Sequence, residues 1–382
     1  MSSSSPPELP VHPLPKSDLH PVSLSEPLVP ALTVVPPYTP APSLSPLAAF
    51  LRLGRLKFLF QSMLVVGLGV TLAVHAGHTF SPTWYAVTLL FAWSTHLMTH
   101  YCNEYFDLEA DKANASPTSW TGGSRILVDG LLAPIVSLSA SFVLLFVAVF
   151  LIAAMPTLTA RLMAAAITAM AWFYTAPPVR LNYHALGELS CAAVLYGLGP
   201  LLTCYLQANT LSVVDVACVG VVFSFQFLRM SIMNLSDIEG DRATGKRTLA
   251  VLLGAPRLIR LFVLGQLTVY AAIALLTALR VVPLLTGLAM LATCPVPLWV
   301  SRQLVTGALS DPSRANGVTF WSSMHMPITA CMITVSLLAD LFVGGGPLQV
   351  LWFGVWGTSF AIFVTWLSRA VRTNKRPTSP SK

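Results

Sequence analysis

Two short windows of the sequence gather side chains able to hold a divalent cation. Asn103, Asp107 and Asp111 follow at intervals of four, so on a helix they form one polar line. Asn234, Asp237 and Asp241, spaced three and four apart, share a face by the same rule. Glu104, Glu109 and Glu239 lie among them. Carboxylates this close repel and raise one another's pKa unless a cation intervenes. The donors are oxygens without a thiolate, which suits Mg²⁺ rather than zinc. Mg²⁺ takes few protein carboxylates and fills its shell with phosphate oxygens, so the ligand this chemistry asks for is a diphosphate. Lys112, Arg125, Arg242, Lys246 and Arg247 flank the windows, and Gly122-Gly123-Ser124 and Gly245 offer backbone N–H groups at close approach. A diphosphate docked on metal and cations becomes a good leaving group.

The rest of the chain makes these windows conspicuous. Its 382 residues are 55% hydrophobic and only 10% charged, against about 25% charged in a soluble domain. So few polar groups cannot cover a water-exposed particle, and the chain belongs in a lipid bilayer. Of 15 acidic residues, seven fall in the two windows. The net charge of +7 does not signal nucleic acid, because the cations form no stripe or aromatic-interleaved patch. The six cysteines are widely spaced in apolar segments and read as small core residues, not metal ligands.

Continuous apolar runs predict an all-α, multi-pass helical bundle rather than a barrel, whose strands would alternate. The expected spans are approximately 57–76, 83–104, 131–154, 158–176, 187–207, 212–234, 258–279, 282–301, 320–343 and 348–369. Residues 1–47 hold 13 of the 29 prolines and read as a disordered tail; 48–370 form the membrane domain and 371–382 a basic tail. With a cytoplasmic N-terminus, the connections on the far side contain only Arg161 and Arg280, and the remaining loop cations collect on the near side. Both windows then face the cytoplasm. The Pro-rich tail suggests a eukaryotic chain in the endoplasmic reticulum or another endomembrane.

Several residues carry competing readings. His96 and His100 precede Asn103 on its own face; without an HExxH arrangement they line a cavity or pack rather than bind metal. Arg229, inside the sixth span, is a functional candidate with Glu188 as its expected partner. Tyr174, Arg180 and Tyr183 follow the fourth span. A tyrosine ring there could shield a developing cation or anchor the membrane interface. Each window alone could be a solvated helix end, but two of similar spacing in an acid-poor chain argue for a site.

At this point the residues resemble a known family. The two windows are similar to the aspartate-rich motifs NDxxDxxxD and DxxxD of the UbiA superfamily of intramembrane prenyltransferases. Three further stretches resemble its 1,4-dihydroxy-2-naphthoate prenyltransferase branch: Thr121-Gly-Gly-Ser-Arg-Ile-Leu127, Tyr174-Thr-Ala-Pro-Pro-Val-Arg-Leu-Asn-Tyr183 with Leu186-Gly-Glu-Leu189, and Asp241-Arg-Ala-Thr-Gly-Lys-Arg-Thr-Leu-Ala250. The resemblance implies a bundle of nine spans, against ten counted. It implies that Asn103, Asp107, Asp111, Asp237 and Asp241 ligate Mg²⁺, with the four aspartates catalytic. Lys246 and Arg125 would contact diphosphate oxygens, and Asn103, Tyr174, Arg180 and Asn234 would bind substrate. Glu104 stands where the motif has its first Asp. The implied reaction transfers an isoprenyl group from a prenyl diphosphate to an aromatic or quinol-type acceptor. A membrane terpene cyclase without acceptor is the alternative, and a cation-coupled transporter a more distant one, since its carboxylates would sit near the midplane.

Overall fold

The computed structural model describes residues 44–113, 123–341 and 347–374. The predicted N-terminal tail lies outside these residues up to position 43, as do Thr121 and Gly122 and most of the basic C-terminal tail; a helix, Pro46–Leu53, crosses the expected boundary at residue 47.

Each predicted span coincides with helix, and the described residues contain no strand. In chain order the long helices are α1 (Leu59–His75), α2 (Pro82–Phe106), α3 (Pro134–Ala154), α4 (Leu158–Trp172), α5 (Gly187–Ala208), α6 (Val213–Met233), α7 (Ala255–Ala278), α8 (Leu284–Val305), α9 (Pro312–Leu341) and α10 (Pro347–Asn374). Among the described residues, seven segments are long and apolar enough to cross a membrane: α3, α5, α6 with its extension, α7, α8, α9 and α10. Length and hydropathy alone thus account for seven of the expected nine or ten. α1 and α4 are apolar but only 17 and 15 residues long. α2, at 25 residues, is diluted by the threonines, histidines and Asn103 that it turns toward an internal cavity.

Local signals start the helices. Ser81 caps α2 through the Trp84 N–H, with Pro82 in the first turn. Ser212 and Asp215 form a reciprocal capping box on α6, at 3.2 and 2.7 Å. α3 is apolar all round, and its Phe146 and Phe150 remain 70% and 74% exposed, as expected of a lipid-facing helix. α1 packs against α5 and α9, and α2 against α3. The central core joins Leu68 and Leu72 of α1, Tyr196 of α5, Phe225 of α6 and Ile333 of α9. A buried hydroxyl–imidazole network holds α7 to α8 and α9, with Tyr270 Oη 2.8 Å from Thr293 Oγ1 and 3.0 Å from His325 Nε2. All six cysteines are free.

Candidate active site

Two cavities of about 260 and 210 Å³ share a wall. The larger is charged and lies where α2 and α6 end. The smaller runs among α1, α2, α4 and α5 and is bounded mostly by carbon. His96, His100, Asn103, Tyr174, Leu195 and Met230 line both, so the two are successive chambers of one space.

The first window keeps its polar line although the helix does not run straight through it. α2 ends with Asp107, and the short helix Leu108–Ala113 follows. The Asp107 N–H donates to Asn103 O, and Asp111 N–H to Asp107 O, each at 2.8 Å, so the four-residue spacing survives the joint. In the second window Asn234–Asp237 forms a 3₁₀ turn before Ile238–Ala243. Three residues per turn put Asn234 and Asp237 on one side.

The structure brings Asn103, Asp107, Asp111, Tyr174, Asn234, Asp237, Asp241 and Lys246 to the lining of the charged chamber. Lys246 joins the two windows: its Nζ lies 3.1 Å from Asp107 Oδ2 and 3.8 Å from Asp241 Oδ1. Burial would lower this ammonium's pKa, but Asp107, Asp241 and Tyr183 outweigh it and hold the group above the ordinary lysine value. The ring of Tyr183 lies 5.7 Å from the same nitrogen. Thr248 Oγ1 donates to Asp241 at 3.4 Å, and Thr175 Oγ1 donates to Asn103 Oδ1 at 2.8 Å.

Two expected contacts are absent from the lining. Arg125, at φ +67°, donates from its guanidinium to the carbonyl of Asp111 and is not among the residues lining the chamber. Arg180 stacks on Tyr183, 4.9 Å from the ring centre, and does not line the chamber. The expected Arg229–Glu188 pair is also replaced. Glu188 accepts from Asn234 Nδ2 and the Leu249 N–H, both at 2.9 Å, thereby orienting Asn234. Arg229 lines the charged chamber and donates to Ser323 Oγ at 3.1 Å.

Glu104 has a role that spacing did not reveal. It is 3% exposed, pairs with Arg55, and accepts from both the N–H and the Oγ of Ser124 at 2.7 Å. Its oxygens are committed to fixing the 123–125 loop, which leaves Asp107 and Asp111 as that window's chamber-lining carboxylates. Gly123 follows from this arrangement: at φ +76° it packs so closely on the Asp111 carboxylate that a Cβ would collide with it. Asn182 was missed among the tyrosines of its motif. Buried, it donates to Asp107 Oδ2 at 3.5 Å, and Gly187 is small because a Cβ there would lie 2.9 Å from Asn182 Cα.

The chamber suits a hard divalent cation. Asp107 Oδ1 is buried without a hydrogen-bond partner, which is costly unless something electropositive meets it. Burial, then the charges of Glu104 and Asp107, push the Asp111 carboxyl up to about 7 against the pull of Arg55 and Lys246. Among the described residues no three His, Cys, Asp or Glu side chains converge as a preformed cage. Mg²⁺ needs none, since phosphate oxygens and water complete its shell.

Comparison with known proteins agrees with this picture. The UbiA prenyltransferase family model matches residues 62–324. The structure of a UbiA homolog from Aeropyrum pernix K1 superposes with a TM-score of 0.57 at 16% identity, over 75% of this chain and 99% of that one. A UbiA homolog from Archaeoglobus fulgidus, bound to DMAPP and Mg²⁺, gives 0.55 at 14% identity over the same shares. A digeranylgeranylglyceryl phosphate synthase gives 0.54 at 15%, over 77% and 99%. At such identities the likeness is one of fold, and no curated protein sequence matches the chain. With a family match over well more than half its length, on the bundle and the two acidic windows described above, the chain belongs to the UbiA prenyltransferase family.

Proposed function

We propose that this chain is a Mg²⁺-dependent membrane prenyltransferase that moves an isoprenyl group from a prenyl diphosphate to an aromatic or quinol-type acceptor. The observation that carries the reading is the pair of joined chambers, one charged and one apolar. An amphiphile with a diphosphate head and a hydrocarbon tail matches them end for end. The A. fulgidus homolog binds such a molecule, DMAPP, together with Mg²⁺.

Asp107, Asp111, Asp237 and Asp241, with Asn103, would hold the metal, which when bound neutralises negative charge on a departing diphosphate. Lys246 supplies a fixed ammonium beside the diphosphate, already oriented by Asp107 and Asp241. Asn182 and Thr175 hold Asp107 and Asn103 in place. The apolar chamber excludes water from the allylic carbon. Tyr174, His96 and His100 stand at the junction, where that carbon would lie. The loop-cation asymmetry supports a cytoplasmic opening for the charged chamber, and an endomembrane is the proposed location.

Purified full-length chain in nanodiscs, given prenyl diphosphates with and without candidate phenols, tests this. Asp107→Ala and Asp237→Ala should lower Mg²⁺-dependent diphosphate release at least ~100-fold. Undiminished release in both variants defeats the enzyme reading. A cyclic hydrocarbon formed without acceptor replaces transfer by cyclisation.

A further inference from the structure

We infer that His96 is the proton acceptor of the transfer step: its imidazole takes the ring proton that the aromatic acceptor sheds once it has bonded to the prenyl group. This rests on the proposed transferase reading and names a further catalytic residue for it.

Transfer to an aromatic ring ends in a deprotonation. As the bond from the allylic carbon to the diphosphate oxygen breaks, its electron pair leaves with the diphosphate, and a ring carbon of the acceptor forms the new carbon–carbon bond. The resulting cyclohexadienyl cation becomes aromatic again by losing the proton on the attacked carbon, whose bonding pair returns to the ring. Such a cation is a strong acid. Any neutral nitrogen base within hydrogen-bond reach suffices, so position selects the base.

Of the residues that line both chambers, only His96 and His100 carry a basic side-chain nitrogen. Asp107, Asp111, Asp237 and Asp241 line the charged chamber alone, and Glu104 and Glu188 line neither. His100 stands three residues before Asn103, about 4.5 Å of helix rise, level with the diphosphate head. His96 stands seven residues before it, about 10 Å deeper. An attacking ring must come within about 3–3.5 Å of the allylic carbon on the side away from the diphosphate. Its proton is then released on the His96 side.

His96 is also held as a base should be. Its Nδ1 lies 2.8 Å from the Oγ of Ser62, a residue of α1 that is 3% exposed. In the tautomer we assign, Nδ1–H donates to that oxygen and Nε2 keeps its lone pair for the chamber. The ring stacks on His100 with centroids 4.8 Å apart at 23°, and His100 stacks on Phe58 at 5.7 Å and 21°. The stack fixes the ring plane and sets an aromatic face against the imidazolium that forms. Tyr174, Cys191 and Arg229 face the same space without bonding to His96. Cys191 accepts from Gln226 Nε2 at 3.7 Å, and Arg229 donates to Ser323.

The test uses purified full-length chain in nanodiscs with Mg²⁺, a prenyl diphosphate and a panel of phenols, each with its ring-deuterated form. His96→Asn keeps an amide for Ser62 and removes Nε2. It should lower kcat for transfer at least ~100-fold, hold KM for the prenyl diphosphate within about twofold, and show a primary deuterium isotope effect that wild type lacks, because proton loss has become rate-limiting. Ser62→Ala frees the ring to turn and should lower kcat roughly tenfold with a smaller isotope effect; it decides alone if His96→Asn fails to bind a non-ionisable S-thiolodiphosphate. Transfer by His96→Asn at the wild-type rate, a slowed variant without an isotope effect, or the effect appearing in His100→Asn instead overturns the assignment and leaves the transferase reading standing. Wild type that releases diphosphate but prenylates no phenol defeats the transferase reading, and the base falls with it.

Discussion

Among single residues, Asp111 and Glu104 show how differently two carboxylates of one window are used. Asp111 faces the chamber with its carboxyl raised to about 7 by burial, then by Glu104 and Asp107, against an unfolded value near 3.9. The fold therefore favours its protonated form. The stability this brings is complete below about pH 4 and is lost as pH climbs through 7. Metal-free protein should melt lower at pH 8 than at pH 6. Asp111→Asn should shrink that gap and raise the melting temperature at pH 8, whereas Mg²⁺ should stabilise wild type at pH 8 more than the variant. Thermal melts in detergent with Mg²⁺ or chelator check this, and an unchanged gap in the variant contradicts it. Glu104 is committed to Arg55 and Ser124, so Glu104→Gln, which leaves Arg55 unpaired, should cost about 3 kcal/mol of stability. A loss below 1 kcal/mol in denaturant titrations would deny it that bracing role. The chamber-lining set was legible because its spacing is local. Glu104's use was not, since its cation stands 49 positions away and no helical period reports on that.

At the level of elements, the site depends on interruptions that hydropathy smooths over. The acidic windows look like plain continuations of α2 and α6, yet the chain turns at Asp107 and tightens at Asn234–Asp237 before each line is complete. Periodicity found the lines because a 3₁₀ turn and a short joint preserve spacings of three and four. The wide π turn Ala193–Leu198 within α5, which presents Val194 and Leu195 to the chambers, has no comparable signature. Likewise, the loop after α4 was noted for Tyr174 and Arg180, but its buried polar contact with Asp107 comes from Asn182. The loop before α3 is the clearest element-scale test. Gly123 both adopts φ +76° and admits the Asp111 carboxylate, so Gly123→Ala strains the backbone and displaces a proposed ligand together. Diphosphate release should fall roughly tenfold or more and require higher Mg²⁺, with helical circular dichroism unchanged. A variant with wild-type Mg²⁺ dependence would separate this loop from the metal.

Across the molecule, the family match ends at residue 324, inside α9, and a further helix, α10, lies beyond it and reaches Asn374. This last helix is bound to α1. Trp352 donates through Nε1 to Thr71 Oγ1 at 3.1 Å, and Trp356 packs against Gly67. Trp352, 1% exposed, and Trp356 close a core cluster with Val70, Val74 and Phe80. No described residue of α10 lines either chamber. Its contribution is thus to the stability of α1, which at 17 residues is short for a crossing and supplies Ser62, Val65 and Val66 to the apolar wall. A chain ending at residue 343 should lower the melting temperature by several degrees and keep the rate of diphosphate release per folded molecule within about twofold, because packing is lost without a change in the reacting groups. Trp352→Ala should reproduce part of the loss. Truncated protein that stays fully folded but loses release would place α10 in the catalytic machinery and overturn this division, in which the matched bundle carries the chemistry and the helix beyond it braces the wall.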